Sequence, residues 1–142
     1  MDELIQYLKS YSYEKSKLEY ILNKKIIITK NHIDNIKIIF CCDQKFNIIK
    51  IFEKYGYIFT NDDYIMLVNK CGFAIQFIPE DKQTNKICKT AVQQNGFALE
   101  FVPEDKKTDE IYKIAVKQCK NAFNFVPDNK KYLFIKNETN NI

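Results

Sequence analysis

From Thr60 onward the apolar and polar positions recur with a step of 24 residues. The blocks GFAIQFIPEDKQTNKICKTAVQQN, GFALEFVPEDKKTDEIYKIAVKQC and KNAFNFVPDNKK fall in one register. All three prolines, Pro79, Pro103 and Pro127, keep the step, as do Thr60, Thr84 and Thr108, and Gly72 and Gly96. A fixed step of this length predicts a stacked array of small supersecondary units. After each threonine the apolar residues fall at i, i+3, i+4 and i+7. They are Tyr64, Leu67, Val68 and Cys71, then Cys88, Ala91 and Val92 with Asn95 at the fourth place, then Tyr112, Ala115, Val116 and Cys119. That spacing is one face of an α-helix, with the threonine as its N-cap. Asp62, Asp63, Asp109 and Glu110 suit the positive ends of two of these helices.

The second element of each unit is short. Ala74/Phe77/Ile78, Ala98/Phe101/Val102 and Ala122/Phe125/Val126 are spaced as a helix face, yet Phe73/Ile75/Phe77 and Phe97/Leu99/Phe101 alternate as a strand would. Periodicity does not separate the two over so few residues. Alanine at each centre favours a short helix, with Phe77, Phe101 and Phe125 forming one buried row. The prolines then open a polar helical turn.

Before the repeats, residues 3–11, 13–22, 31–42 and 46–55 carry helical spacing, the last closed by Gly56 at a C′ position. The run YIFT at 57–60 echoes IIIT at 26–29, so residues 1–59 read as degenerate N-terminal units. Residues 132–135 form a final cap and 137–142 a frayed tail. The fold class is all-α, a small solenoid-like helical stack in a single domain over 1–136, with three repeats over 60–130.

Composition adds a few constraints. With 46% hydrophobic and 14% aromatic residues over 142 positions, the chain buries a core. Every one of its 22 basic residues is lysine, set against 18 acids for a net charge of +4. Without arginine, sequence-specific nucleic-acid readout is disfavoured, leaving weak backbone contact through lysine rows. No run is long and apolar enough for a membrane span, and the N-terminus lacks the form of a signal peptide. Five cysteines, Cys41, Cys42, Cys71, Cys88 and Cys119, have no framework spacing and suggest reduced thiols in a cytoplasmic setting.

Candidate chemistry is sparse. His32, the lone histidine, fits a surface or capping role beside Asn31. Asp62-Asp63, Glu80-Asp81 and Glu104-Asp105 read as solvated carboxylates rather than an acid/base pair. Three glycines at 56, 72 and 96 do not build a phosphate loop. The expectation is therefore no catalytic, metal or cofactor site. What remains is a ladder of equivalent charges: Glu80/Glu104/Asp128, Lys82/Lys106/Lys130 and Lys89/Lys113. Mixed signs neutralise the turn rows, so Lys89, Lys113 and Lys117 are the candidate partner-binding residues.

The blocks AVQQNGFALEFVPED and AVKQCKNAFNFVPDN resemble a domain of unknown function found as tandem copies in giant DNA viruses of amoebae and in some bacteria. The likeness covers about residues 60–130, with Lys120 replacing the glycine in the third copy. What it implies is a helical repeat of no established activity, with a viral source, in host cytoplasm or virion. The expected function is a noncatalytic protein-interaction or assembly module. The alternatives are a structural component of a larger particle and a weak nucleic-acid binder.

Overall fold

The computed structural model describes residues 48–54 and 56–135. The helices expected over 3–11, 13–22 and 31–42, together with His32, Cys41, Cys42 and the tail 137–142, lie outside these residues. Helix α1 spans Ile48–Lys54, α2 Asn61–Lys70, α3 Asn85–Gln94 and α4 Asp109–Gln118. Each of α2, α3 and α4 is followed by a six-residue 3₁₀ helix: η1 Gly72–Phe77, η3 Gly96–Phe101 and η5 Lys120–Phe125. Three-residue 3₁₀ turns, η2 Glu80–Lys82 and η4 Glu104–Lys106, start behind Pro79 and Pro103. A longer one, η6 Asp128–Phe134, starts behind Pro127. Among the described residues there is no strand, and the fold is all-α.

The threonines cap as their spacing predicts. The Thr60, Thr84 and Thr108 hydroxyls accept from the backbone N–H of Asp63, Ile87 and Ile111, each at 3.3 Å. A single extended residue joins each α-helix to its 3₁₀ helix. Cys71, Asn95 and Cys119 share φ between −149° and −141° and ψ between 111° and 115°. Each donates back to the α-helix, to Leu67, Ala91 or Ala115 O at 2.9 Å, and accepts from Ala74, Ala98 or Ala122 N at 2.9 Å. The chain therefore turns through one residue without leaving a buried backbone group unpaired. At the N-terminal side, Tyr57 N bonds Phe52 O and Gly56 N bonds Glu53 O, closing α1 in a Schellman motif around Gly56 at φ +85°.

The units stack in two layers. Helices α2, α3 and α4 pack in order, and each of η1 and η3 nestles between its own α-helix and that of the next unit. One core runs through the stack, with Leu67, Ile75, Ile87, Leu99 and Phe52 fully buried. The expected helix stripe is buried, with two differences. Ile87 and Ile111 join it, while Asn95, Val116 and Cys119 are partly open.

The expected buried row of phenylalanines is corrected. Phe77, Phe101 and Phe125 are only partly buried. With three residues per turn, Gly72, Ile75 and Ile78 line up towards the core, and Gly96, Leu99 and Val102 do the same. The phenylalanines are left on the flanks, where they pair diagonally across units. Phe73 meets Phe101 edge-on at 6.0 Å and Phe97 meets Phe125 at 6.2 Å.

Candidate interaction surface

Between units, glycine and glutamine form a repeated lock. Gly72 N donates to Gln94 Oε1 at 2.6 Å, and Gly96 N donates to Gln118 Oε1 at the same distance. Gln118 Nε2 also reaches Gln94 O at 3.3 Å. A Cβ on Gly96 would stand 2.5 Å from Ala115 O and 2.9 Å from Cys119 Cβ, and one on Gly72 would stand 2.6 Å from Ala91 O. The glycines are there because the last turn of the next α-helix comes that close. Among the described residues no α-helix follows η5, and at that position the chain carries Lys120. The departure from the repeat is thus the mark of its last unit.

The turn lysines are engaged locally. Lys82 pairs with Asp81 at 3.1 Å and Lys106 with Asp105 at 2.8 Å. The contact holds the Asp105 carboxyl below and the Lys106 ammonium above their ordinary ranges. In the third copy Asn129 replaces that aspartate, and Lys130 instead reaches Asp109 at 2.7 Å, which raises its pKa. One residue further on, Lys107 pairs with Glu104 at 2.5 Å and Lys131 with Asp128 at 2.6 Å. The first unit has Gln83 at this position, so Glu80 lacks the corresponding lysine.

Of the predicted partner-binding residues, Lys89 is partly buried in a cleft between α3 and α4 beside Lys86, Lys106 and Ile111. Its Nζ bonds Glu110 Oε1 at 2.5 Å, tying one unit to the next. Lys113 and Lys117 are exposed on α4 and make no ion pair among the described residues. The three lysines therefore do not form one free row.

The expectation for Asp62-Asp63 also needs correction. Asp62 is exposed, but Asp63 is 1% exposed. Its Oδ2 accepts from Thr60 N at 2.9 Å, Thr60 Oγ1 at 2.7 Å and Tyr57 OH at 3.0 Å. It closes a capping box at a position where the later units carry Ile87 and Ile111. Burial raises the Tyr64 and Tyr112 phenols and pushes the Cys88 thiol up to about 11, so Cys88 is an inert core group. Cys71, Cys88 and Cys119 form no disulfide. Among the described residues no cluster of His, Cys, Asp and Glu is arranged to hold a metal ion, and no helix is long and apolar enough to cross a membrane.

The second element of each unit is a short helix, as its alanine predicts, and what sequence reasoning missed is its 3₁₀ pitch. The 3₁₀ layer presents Phe73 and Phe97, and Phe77, Phe101 and Phe125, partly exposed and in register, while Phe123, also partly exposed, takes the position of Ile75 and Leu99. The signal was present in the alternation of Phe with Ala, which reads equally as core until the 3₁₀ pitch is known.

Comparison with known proteins agrees with the repeat. The profile of a Domain of unknown function (DUF4116) matches twice, over residues 63–105 and 86–129. The matches overlap and are offset by about one unit, so each spans an α-helix, its 3₁₀ helix and much of the neighbouring unit. No curated protein and no solved structure matches the chain. Over residues 63–129 the chain is similar to this Domain of unknown function.

Proposed function

We propose that the chain is a noncatalytic protein-interaction module whose contact surface is the 3₁₀ layer. The observation that supports this is the set of five partly exposed phenylalanines, Phe73/Phe97 and Phe77/Phe101/Phe125, held in register by successive units. Aromatic side chains concentrate binding energy in interfaces, because they offer large contact area for little lost rotamer freedom. Solenoids use equivalent positions of adjacent units in this way. A viral source, as the resemblance implies, and the alternative of a place in a larger particle are both compatible with such a module. End-to-end assembly through the repeat register is disfavoured, because Lys120 stands where a following helix would require glycine.

The test starts from a chain that co-purifies from native lysate, re-made and measured against this protein by calorimetry. Phe77 stands outside the aromatic pairs, so Phe77→Gln perturbs the fold least. It is expected to weaken the complex about tenfold or more, the range for an interface aromatic. The triple variant Lys89→Glu, Lys113→Glu, Lys117→Glu is the comparison. If it alone abolishes binding, the contact lies on the α layer as the charge ladder first predicted. Binding to DNA or RNA that collapses with added salt would instead favour the lysine-row reading.

A further inference from the structure

A groove of about 390 Å³ lies between the first and second units, on the side of the proline turns. Glu80, Gln83, Glu100, Phe101, Glu104 and Lys107 line it. Its charge comes from departures from the repeat. At the register position of Lys107 and Lys131 the first unit has Gln83, which removes a cation. At the position of Gln76 and Asn124 the second unit has Glu100, which adds an anion. Glu104 is neutralised by Lys107 at 2.5 Å, while Glu80 and Glu100 make no ion pair among the described residues. Two uncompensated carboxylates therefore face one groove.

Gln83 supplies an independent observation. It is 4% exposed, and its Nε2 donates to Ile78 O at 2.8 Å and Ile75 O at 3.3 Å, which fixes the orientation of the amide. Its Oε1 is a buried acceptor without a protein partner. Native structures rarely leave such an atom unpaired, and a water or a donor from a ligand satisfies it.

We propose that this groove takes the guanidinium of an arginine side chain on a partner protein. The proposal rests on the reading of the 3₁₀ layer as the contact surface. A guanidinium is planar, carries five N–H donors and accepts no hydrogen bond. It matches a site made of two free carboxylates, an amide oxygen and the flank of a phenylalanine ring, on which it can stack. The chain itself contains no arginine, so no residue of its own competes for the site in this way.

The experiment titrates the full ¹⁵N-labelled chain with a capped tetra-arginine peptide, beside tetra-lysine and tetra-glutamate peptides. Saturable shifts are expected at the Gln83 side-chain amide and at residues 80, 100 and 101, with tetra-arginine and not with tetra-glutamate. Glu100→Gln, an exposed change that restores the first unit's residue, is expected to weaken binding about tenfold, the scale for losing one partner of a charge pair. Gln83→Lys, which restores the second unit's lysine, should abolish it. Shifts spread over other exposed acids such as Asp62 and Glu110, or unchanged binding by Glu100→Gln, would overturn the site. Equal binding of tetra-lysine would overturn the choice of arginine. Failure here leaves the effect of Phe77→Gln on the purified complex standing, so the two readings fail separately.

Discussion

Gly96 and Lys120 occupy one register position and meet opposite demands. At Gly96 the carbonyl of Ala115 leaves no space for a Cβ, and a backbone group does not swing aside as a side chain does. Gly96→Ala should therefore destabilise the protein by about 2–3 kcal/mol, the upper part of the usual range for overpacking. Lys120→Ala meets no following helix and should stay within about 0.5 kcal/mol of wild type. Urea denaturation of the two variants side by side checks both. Cys88 offers a chemical readout at the same scale. Its thiol keeps its proton to about 11 in the fold, against an ordinary value of 9.0. Below about pH 9 this contributes full stability. As the pH rises from there, only the unfolded chain gains by ionising, and stability falls. With iodoacetamide at mildly alkaline pH, peptide mapping should find Cys119, at the open end, alkylated well before Cys88.

At the scale of the element, the caps and the 3₁₀ pitch decide what each residue does. Asp63 holds three donors on one oxygen at the start of α2, two of them from Thr60. Asp63→Ala would remove the acceptor that the Tyr57 and Thr60 hydroxyls and the Thr60 cap N–H share. It should cost about 2 kcal/mol by chemical denaturation, more than loss of a solvated cap. The 3₁₀ helices turn leucine and isoleucine inward and phenylalanine to the flank. Leu99→Ala should accordingly cost about 3–5 kcal/mol, and Phe101→Ala less, about 1.5–3 kcal/mol, because part of that ring stays in water. A larger loss at Phe101 than at Leu99 would show that the phenylalanine belongs to the core.

At the scale of the whole molecule, stability comes from nearest-neighbour burial, with η1 and η3 each held between two α-helices. The inter-unit ion pairs Lys89–Glu110 and Lys130–Asp109 are at the surface and contribute little. Lys89→Ala should change stability by less than about 1 kcal/mol. The last unit is sealed differently from the others. Phe134 of η6 meets Phe123 edge-on at 5.6 Å, and the Lys131 ammonium lies 5.5 Å above the Phe123 ring. This cap ends the array where Lys120 has already removed the lock.

The sequence by itself determined the step, the three capped α-helices and the stripe they bury, because a 24-residue recurrence and a helical period are both properties of order along the chain. Gly56 and the proline turns were legible for the same reason, since each acts on the backbone beside it. The tertiary structure alone decided the rest. Whether a six-residue run takes three residues per turn or more depends on what it packs against, and that choice moved the phenylalanines from core to surface. It also decided that Asp63 is buried, since its partner Tyr57 lies on the preceding turn, and that Lys89 is tied to Glu110 across 21 residues. The groove beside Gln83 is of this kind too: its carboxylates come from two units, and only stacking brings them to one place.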